Sequence, residues 1–474
     1  MKVKASTSRR KFIRNSLLGG AAFTIIPRWV MGGKGFIAPS DTLYIAGIGV
    51  GGRGHEDLVQ SVKHPNAKIA FLCDVDDRQS ADARKQFSSA KYYKDFREMF
   101  SKESKNFDAV TVSTPDHTHA VIAMAAMQLG KHIMVQKPLT WSVQEARMLT
   151  EAARKYKVVT QMGNQGASGD DVRKMKEMID AGLIGEVRHV WAWTNRPVWP
   201  QGIPAPTGSS PIPAELDWDL WLGPAEKIDY NPAYLPFNWR GWWRFGTGAL
   251  GDMACHILDP FFRILPVRFP NTVECSATTA WSDFFVEGHY DESCPSSSII
   301  HFNYPRTDGK GNITMTWMDG GLLPRRPDEL LPDEVLGQPD AGGVIFEGTK
   351  GKLMAGMWGQ NPTLLPSIKM KEVKLPAAKL PRVPGGTDGH YAQWVEASLQ
   401  GYGKGVTSSP FEYAGPFTES ILLGNLALRS YALRSEKGYI GRKKLVWDAA
   451  AMKITNFDEA NQFVGRSYRE GWKL

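Results

Sequence analysis

The sequence predicts two joined architectures: an N-terminal α/β part with a doubly wound parallel sheet, and a C-terminal α+β part with a large, open, mostly antiparallel sheet. Three observations predict this. Between residues 41 and 135, short apolar runs alternate with helical stretches, the pattern of a parallel sheet covered on both faces. The first of those runs breaks into glycines at its end. Beyond residue 270, apolar and polar residues alternate in pieces, as in half-buried strands. A chain of 474 residues, 42% hydrophobic and 22% charged, is long enough to bury such cores and suits two or three domains.

The first apolar run leads into Gly47-Ile-Gly49-Val-Gly-Gly52-Arg53, which fits G-x-G-x-x-G at Gly47, Gly49 and Gly52. Such a turn needs glycine because it is tight, because its backbone approaches a pyrophosphate, and because the next helix packs on the strand. A lone match is weak, but context adds to it. After helix 53–63, the strand Lys68-Ile-Ala-Phe-Leu-Cys-Asp74 ends in an acid about 20 residues beyond the glycines. Asp74 is placed to hydrogen-bond the adenosine ribose and to repel a 2′-phosphate, so NAD is expected in preference to NADP. Arg78 nearby leaves NADP open. Arg53, directly after the last glycine, is assigned to the same site. Together these features read as a Rossmann domain over residues 41–160, followed by a substrate and dimerisation domain over 161–474.

Alternation continues through helix 78–88, a short segment near Tyr92, helix 95–103, the strand 109–113, helix 119–129 and the strand 131–135. Two loops follow at the carboxyl edge of the sheet, where ligands bind: Thr114-Pro115-Asp116-His117-Thr118-His119 and Gln136-Lys137-Pro138. Thr114, Pro115, His119 and Lys137 are therefore expected beside the cofactor, although His117 and His119 also suit helix capping or core packing. The glycine turn, Asp74, the Thr-Pro-Asp-His-Thr-His segment and the Lys-Pro pair, in this order and spacing, resemble the glucose-fructose oxidoreductase, inositol dehydrogenase and rhizopine-catabolism (Gfo/Idh/MocA) family. The resemblance covers nearly all of residues 41–447. Where the family usually has Glu-Lys-Pro, this chain has Gln136 before the Lys-Pro pair.

Past Thr160, Met162-Gly163-Asn164-Gln165-Gly166 precedes helix 168–181 and the strand 186–195. The Pro-rich segment 197–236 is too long for a mere connection and is expected to wall a site. Eight of the sixteen tryptophans fall between Trp191 and Trp243. Core packing must take at least half of them, but indole faces also suit the C–H faces of pyranose rings. Trp199, Trp242 and Trp243, with Asn164 and Arg240, are the expected substrate contacts. In Arg244-Phe-Gly-Thr-Gly-Ala-Leu-Gly-Asp252-Met-Ala-Cys-His256, the Asp and His stand at i and i+4, on one helix face. Such a pair can hold a metal, but no third or fourth ligand is evident from the spacing, and no metal is expected. The segment is similar to the family's Asp-x-x-x-His motif, and the resemblance places Lys137, Asp252 and His256 around a carbinol. That suits oxidation of a secondary alcohol. His256 is the candidate base because an imidazole titrates near working pH, Lys137 would stabilise the developing alkoxide, and Asp252 would orient one of them or bind a neighbouring hydroxyl. The Lys and His roles remain interchangeable at this level.

Beyond residue 270, strands are expected at 273–281, 297–303, 313–317 and 343–354, with helices near 390–400 and 414–434. In the family, a sheet of this kind packs on the Rossmann domain and often on a second subunit, so a homo-oligomer through the C-terminal sheet is expected. The four cysteines, Cys73, Cys255, Cys275 and Cys294, have no CxxC spacing, which argues against a zinc cluster.

The formal charge of +8 arises within residues 1–34, which hold eight Lys or Arg and no acid, so the remainder is neutral. That distribution excludes a nucleic-acid-binding face and points to targeting. Ser8-Arg9-Arg10-Lys11-Phe12-Ile13, followed by the mostly apolar run 16–26, resembles a twin-arginine export signal. A basic disordered tail is the alternative. Residues 1–40 are thus read as signal and linker, engaging the twin-arginine export machinery and sending the protein to the periplasm; an uncleaved signal would leave it membrane-tethered. The expected function is an exported NAD(P)-dependent oxidoreductase acting on CH-OH groups of a sugar or glycoside. Free NAD is scarce outside the cytoplasm, so the cofactor should be held tightly and recycled in place. One alternative is an NAD-dependent glycoside hydrolase or lyase working by transient C3 oxidation and elimination. Another, of a different class, is a non-catalytic sugar-binding protein.

Overall fold

β1 (Leu43–Ile48) is apolar because both its faces are covered, Leu43 and Ile45 joining one core cluster and Ala46 and Ile48 the other. The computed structural model describes residues 41–474. The expected export signal lies outside the described residues. The unit Leu43–Leu474 begins with six parallel strands: β1, β2 (Ala67–Cys73), β3 (Lys91–Tyr93), β4 (Ala109–Val112), β5 (His132–Val135) and β6 (Thr160–Met162). Their spatial order is β3-β2-β1-β4-β5-β6. Chain direction across the sheet reverses between β1 and β4, so the loops after these two strands flank a crevice at the carboxyl edge.

β6 was not evident as a strand, since the apolar run at 158–160 is short and follows closely on the helix Val143–Tyr156, leaving no period to read. Distant partners fix it instead. Thr160 Oγ1 accepts the Phe411 N–H (2.9 Å), Gln161 Nε2 donates to the His390 carbonyl (2.6 Å), and the Met162 N–H donates to the Ser409 carbonyl (2.9 Å). The helix Gly389–Gln400, far along the chain, closes one face of this sheet, with Tyr391, Trp394 and Val395 packed among Leu43, Ile45, Leu58 and Ile69.

The second sheet is built from β7 (Val187–Thr194), β8 (Thr272–Ala277), β11 (Ser298–Pro305), β12 (Asn312–Met318), β13 (Gly342–Gly348), β14 (Gly351–Gly356), β15 (Thr363–Leu365), β18 (Leu445–Asp448) and β19 (Lys453–Ile454). Small hairpins, β9 (Trp281–Asp283) with β10 (Val286–Glu287) and β16 (Arg434–Ser435) with β17 (Gly438–Tyr439), stand apart from it. The order is β15-β14-β13-β7-β12-β11-β8-β18-β19. Neighbours run antiparallel except β7 and β12, so the sheet is mixed. The parallel pair arises because β7 enters the sheet before the long excursion 195–271 and then serves both β12 and β13. On one face, Val190, Phe302, Tyr304 and Trp317 join the main core with the helix Phe411–Tyr431.

All four cysteines are free thiols. Among the described residues, no helix is long and apolar enough to cross a membrane.

Candidate active site

A cavity of about 610 Å³ opens along the carboxyl edge of the parallel sheet, a size within the usual range for ligand sites. The glycine turn borders it. Gly49 has φ +73° and an added Cβ would stand 2.7 Å from the Ser113 carbonyl oxygen, so the turn and its approach to β4 exclude a side chain. Gly52, at φ +47°, has nothing within 4 Å of its would-be Cβ, and the helix Arg53–Ser61 behind it starts without a side-chain cap. A helix start of this kind, bordering the cavity, suits an anion. Asp74 follows β2 and lines the same cavity. Its carboxylate accepts the N–H groups of Val50 (2.8 Å) and Asp76 (3.0 Å), while burial pushes its pKa up to about 6. Arg78, which could have met a 2′-phosphate, is turned to Asp76 by two side-chain bonds (2.9 and 2.6 Å). The residues present thus fit a dinucleotide, with the turn 47–52 for the pyrophosphate and Asp74 for the adenosine ribose.

The reacting groups come from the loop after β5 and from the helix Gly248–Ile257. Lys137 Nζ donates to Asp252 Oδ1 (2.7 Å) and to the Asp252 carbonyl (2.8 Å). Arg240 Nε also reaches Asp252 Oδ1 (3.3 Å). Burial opposes ionisation of Asp252, but the Lys137 and Arg240 cations outweigh it and hold the carboxyl at about 2. One turn on, His256 lines the cavity with its Nδ1 buried and without a hydrogen-bond partner. Burial first, and the Lys137 charge second, push its imidazole down to about 3. The expectation of a histidine titrating near working pH is therefore corrected. His256 rests neutral because the pocket desolvates it and already holds a cation.

Of the residues assigned from sequence, Gly49, Gly52, Arg53, Asp74, Thr114, Pro115, Lys137, Arg240, Asp252 and His256 line this cavity. Gly47 lies within β1, packed against Leu58. Others require correction. The helix expected at 119–129 begins at Asp116, directly after Pro115, which is extended and stands at the N-cap position without a side-chain bond. His119 is consequently helical and buried, with Nδ1 2.8 Å from the Pro138 carbonyl and Nε2 2.8 Å from the Thr114 carbonyl; it links two loops instead of touching the cavity. Asn164 is buried and donates to Asp259 (3.0 Å). Trp242 packs edge-on to Tyr234, and Trp243 belongs to the main core. Trp199 is buried behind Arg240, whose guanidinium lies 5.9 Å from its ring centre. The segment 197–236 does wall the cavity, but through Leu220, Trp221, Leu235 and Pro236.

Several lining residues were not evident from sequence. Phe237, Trp239, Trp358 and Trp472 supply aromatic wall, and the Trp358 ring meets His256 edge-on at 5.8 Å. Asp116 is buried, accepts the Thr247 hydroxyl (2.6 Å), and is pushed by burial up to about 7. Asp57 sits fully buried behind the turn and gathers bonds from Arg53, Ser113, Gln136 and Tyr391. Of these, Asp116 lay in the loop 114–119 and Trp239 among the tryptophans already singled out, and nothing in their spacing distinguished them.

A parallel sheet with a dinucleotide crevice, joined to a large mixed sheet and a Lys–Asp–His cluster at one cavity, defines an oxidoreductase architecture. Residues 43–164 match the model of an oxidoreductase family's NAD-binding Rossmann fold, and residues 168–286 match that family's C-terminal α/β domain. The chain belongs to this Gfo/Idh/MocA oxidoreductase family. A levoglucosan dehydrogenase from Pseudarthrobacter phenanthrenivorans is 26% identical over 189 residues, 40% of this chain and 40% of that protein. A glycosyl hydrolase family 109 protein from a Shewanella species is 26% identical over 237 residues, 46% of this chain and 45% of that protein. The chain spans less than half the length of these curated relatives. A solved levoglucosan dehydrogenase complex with NADH shares the fold, with a TM-score of 0.55 at 17% identity over 82% of this chain and 98% of that one.

Proposed function

We propose that the protein is an NAD-dependent oxidoreductase acting on a secondary alcohol of a sugar or glycoside. The observation that carries this is the ion pair of Lys137 with Asp252 (2.7 Å), next to the unpartnered Nδ1 of His256, in the cavity bounded by the glycine turn and Asp74. When bound, NAD supplies the two-electron oxidant. Asp252 fixes the Lys137 ammonium, which then presents a charged donor to a carbinol oxygen. His256 rests in the proton-accepting form. It takes the hydroxyl proton as negative charge develops on the carbinol oxygen, the same atom that Lys137 stabilises, so the two side chains act as a unit. Trp221, Trp239 and Trp358 line the cavity, and indole suits the C–H surface of a pyranose ring. Relatives named for levoglucosan and for glycoside hydrolysis support a sugar.

A second reading is net glycoside cleavage, which the name of the similar glycosyl hydrolase family 109 protein supports; on this chain it would run through a transient C3 ketone. Export by the twin-arginine route to the periplasm, with NAD loaded beforehand and recycled in place, belongs to this proposal and rests on residues 8–26. So does a homo-oligomer through the large sheet, on whose outer face His189, Trp191, Ile299 and Met354 are only half-buried. The experiment is to purify the chain from cytoplasm, release bound nucleotide with acid, and follow nicotinamide absorbance while sugars and glycosides are added. Released NAD(H) with a redox signal is expected. A protein that binds a sugar and gives no redox signal would be a binding protein.

A further inference from the structure

Trp472 stands in the wall of the cavity although its segment belongs to neither sheet. Residues 465–474 are anchored at three places. Arg466 donates to the His117 carbonyl (3.3 Å) with its guanidinium 4.6 Å from the centre of the Trp141 ring. Tyr468 Oη donates to Glu145 Oε1 (2.8 Å), and Glu145 also completes the capping box of the helix Val143–Tyr156. Arg469 Nη1 donates to Asp219 Oδ1 (2.6 Å). These anchors set Trp472 against Phe96, with ring centroids 6.1 Å apart, and under the Arg97 guanidinium at 4.5 Å.

The strand order says what that wall faces. Loops leave the carboxyl edge in the order β3, β2, β1, β4, β5, which places Phe96, Asp74, the glycine turn, Thr114 and Lys137 in a row. A dinucleotide with its pyrophosphate on the turn after β1 and its reacting ring near Lys137 must extend its other nucleoside past Asp74, toward Val75, Phe96 and Trp472.

We infer that Trp472 contacts the adenine of NAD and that residues 465–474 form a strap retaining the cofactor. This rests on the NAD reading and explains how an exported enzyme keeps its nucleotide. Aromatic contact with a nucleobase accounts for about tenfold or more in affinity, and a strap tied at three points adds its own undocking to the release step.

The test measures the NADH dissociation rate by the loss of protein-bound NADH fluorescence during a chase with excess NAD. Trp472→Ala should release NADH about tenfold faster or more. Trp472→Phe, which keeps a ring, should fall between it and the unmodified protein. Arg469→Ala removes an anchor that does not line the cavity and should also speed release. Unchanged rates in both Trp472→Ala and Arg469→Ala overturn the strap while leaving the NAD reading intact. An unmodified protein that binds no NADH at all overturns both.

Discussion

Gln136 Nε2 lies 2.8 and 3.0 Å from the two carboxylate oxygens of Asp57, a fully buried acid. Asp57 also accepts from Ser113 Oγ (2.7 Å), Tyr391 Oη (2.8 Å) and Arg53 Nε (3.0 Å), so one carboxylate joins the helix after β1, the end of β4, the end of β5 and the distant helix Gly389–Gln400. Burial raises its pKa, and Arg53 is the cation that opposes this. The departure from Glu-Lys-Pro has a physical account here. An amide at position 136 gives the acid a donor, whereas a glutamate would set a second carboxylate beside it.

Gln136→Glu should therefore lower stability by about 2 kcal/mol or more, the scale of a buried polar group left badly paired. Denaturant unfolding near neutral pH measures it. Adding Asp57→Asn to the same chain should recover much of the loss. A midpoint unchanged by Gln136→Glu would show that the network tolerates two acids.

Asp74 gives a pH dependence of known sign. Its folded pKa is raised to about 6, so the side chain takes up a proton as pH falls through that value and stops accepting from the ribose. In the empty protein, the stabilising effect of that proton is present at low pH and lost as pH rises through about 6. NAD affinity should accordingly fall by up to about tenfold between pH 7 and pH 5, measured by titration calorimetry. Asp74→Asn should flatten the profile, and Asp74→Ala should weaken NAD more than NADP. NADP binding better than NAD from the start would contradict the role given to this acid.

For the export proposal, Arg9 and Arg10 replaced together by Lys should hold the protein inside the cell, because a receptor reads that pair. Fractionation with an antibody measures it, and undiminished export would show another route.

The parallel sheet was legible because its strands are short apolar runs punctuated by glycine, and Asp74, Lys137, Asp252 and His256 were legible because motif spacing and family resemblance converge on them. What sequence could not supply is long-range. Asp57 and Tyr391 meet across more than 300 residues, and Trp472 reaches the site from a segment with no periodic signal. Trp242 and Trp243 looked like cleft residues because tryptophan is abundant there, yet position in the fold and not composition decides which indoles line the cavity. The pKa of His256 was misjudged for a related reason, since desolvation and a neighbouring cation are properties of the folded pocket.

Single-turnover formation of NADH with a panel of glucosides and galactosides, compared across Lys137→Ala, His256→Ala and the double variant, tests the central claim most directly. Each single variant should slow the step by about 100-fold or more with NAD content nearly unchanged. Asp252→Asn, which loses the charge that fixes Lys137 at 2.7 Å, should be intermediate. Because Lys137 and His256 act on one carbinol oxygen, the double variant should lose far less than the product of the single losses. Full activity in both single variants would place the catalytic centre elsewhere and contradict the account.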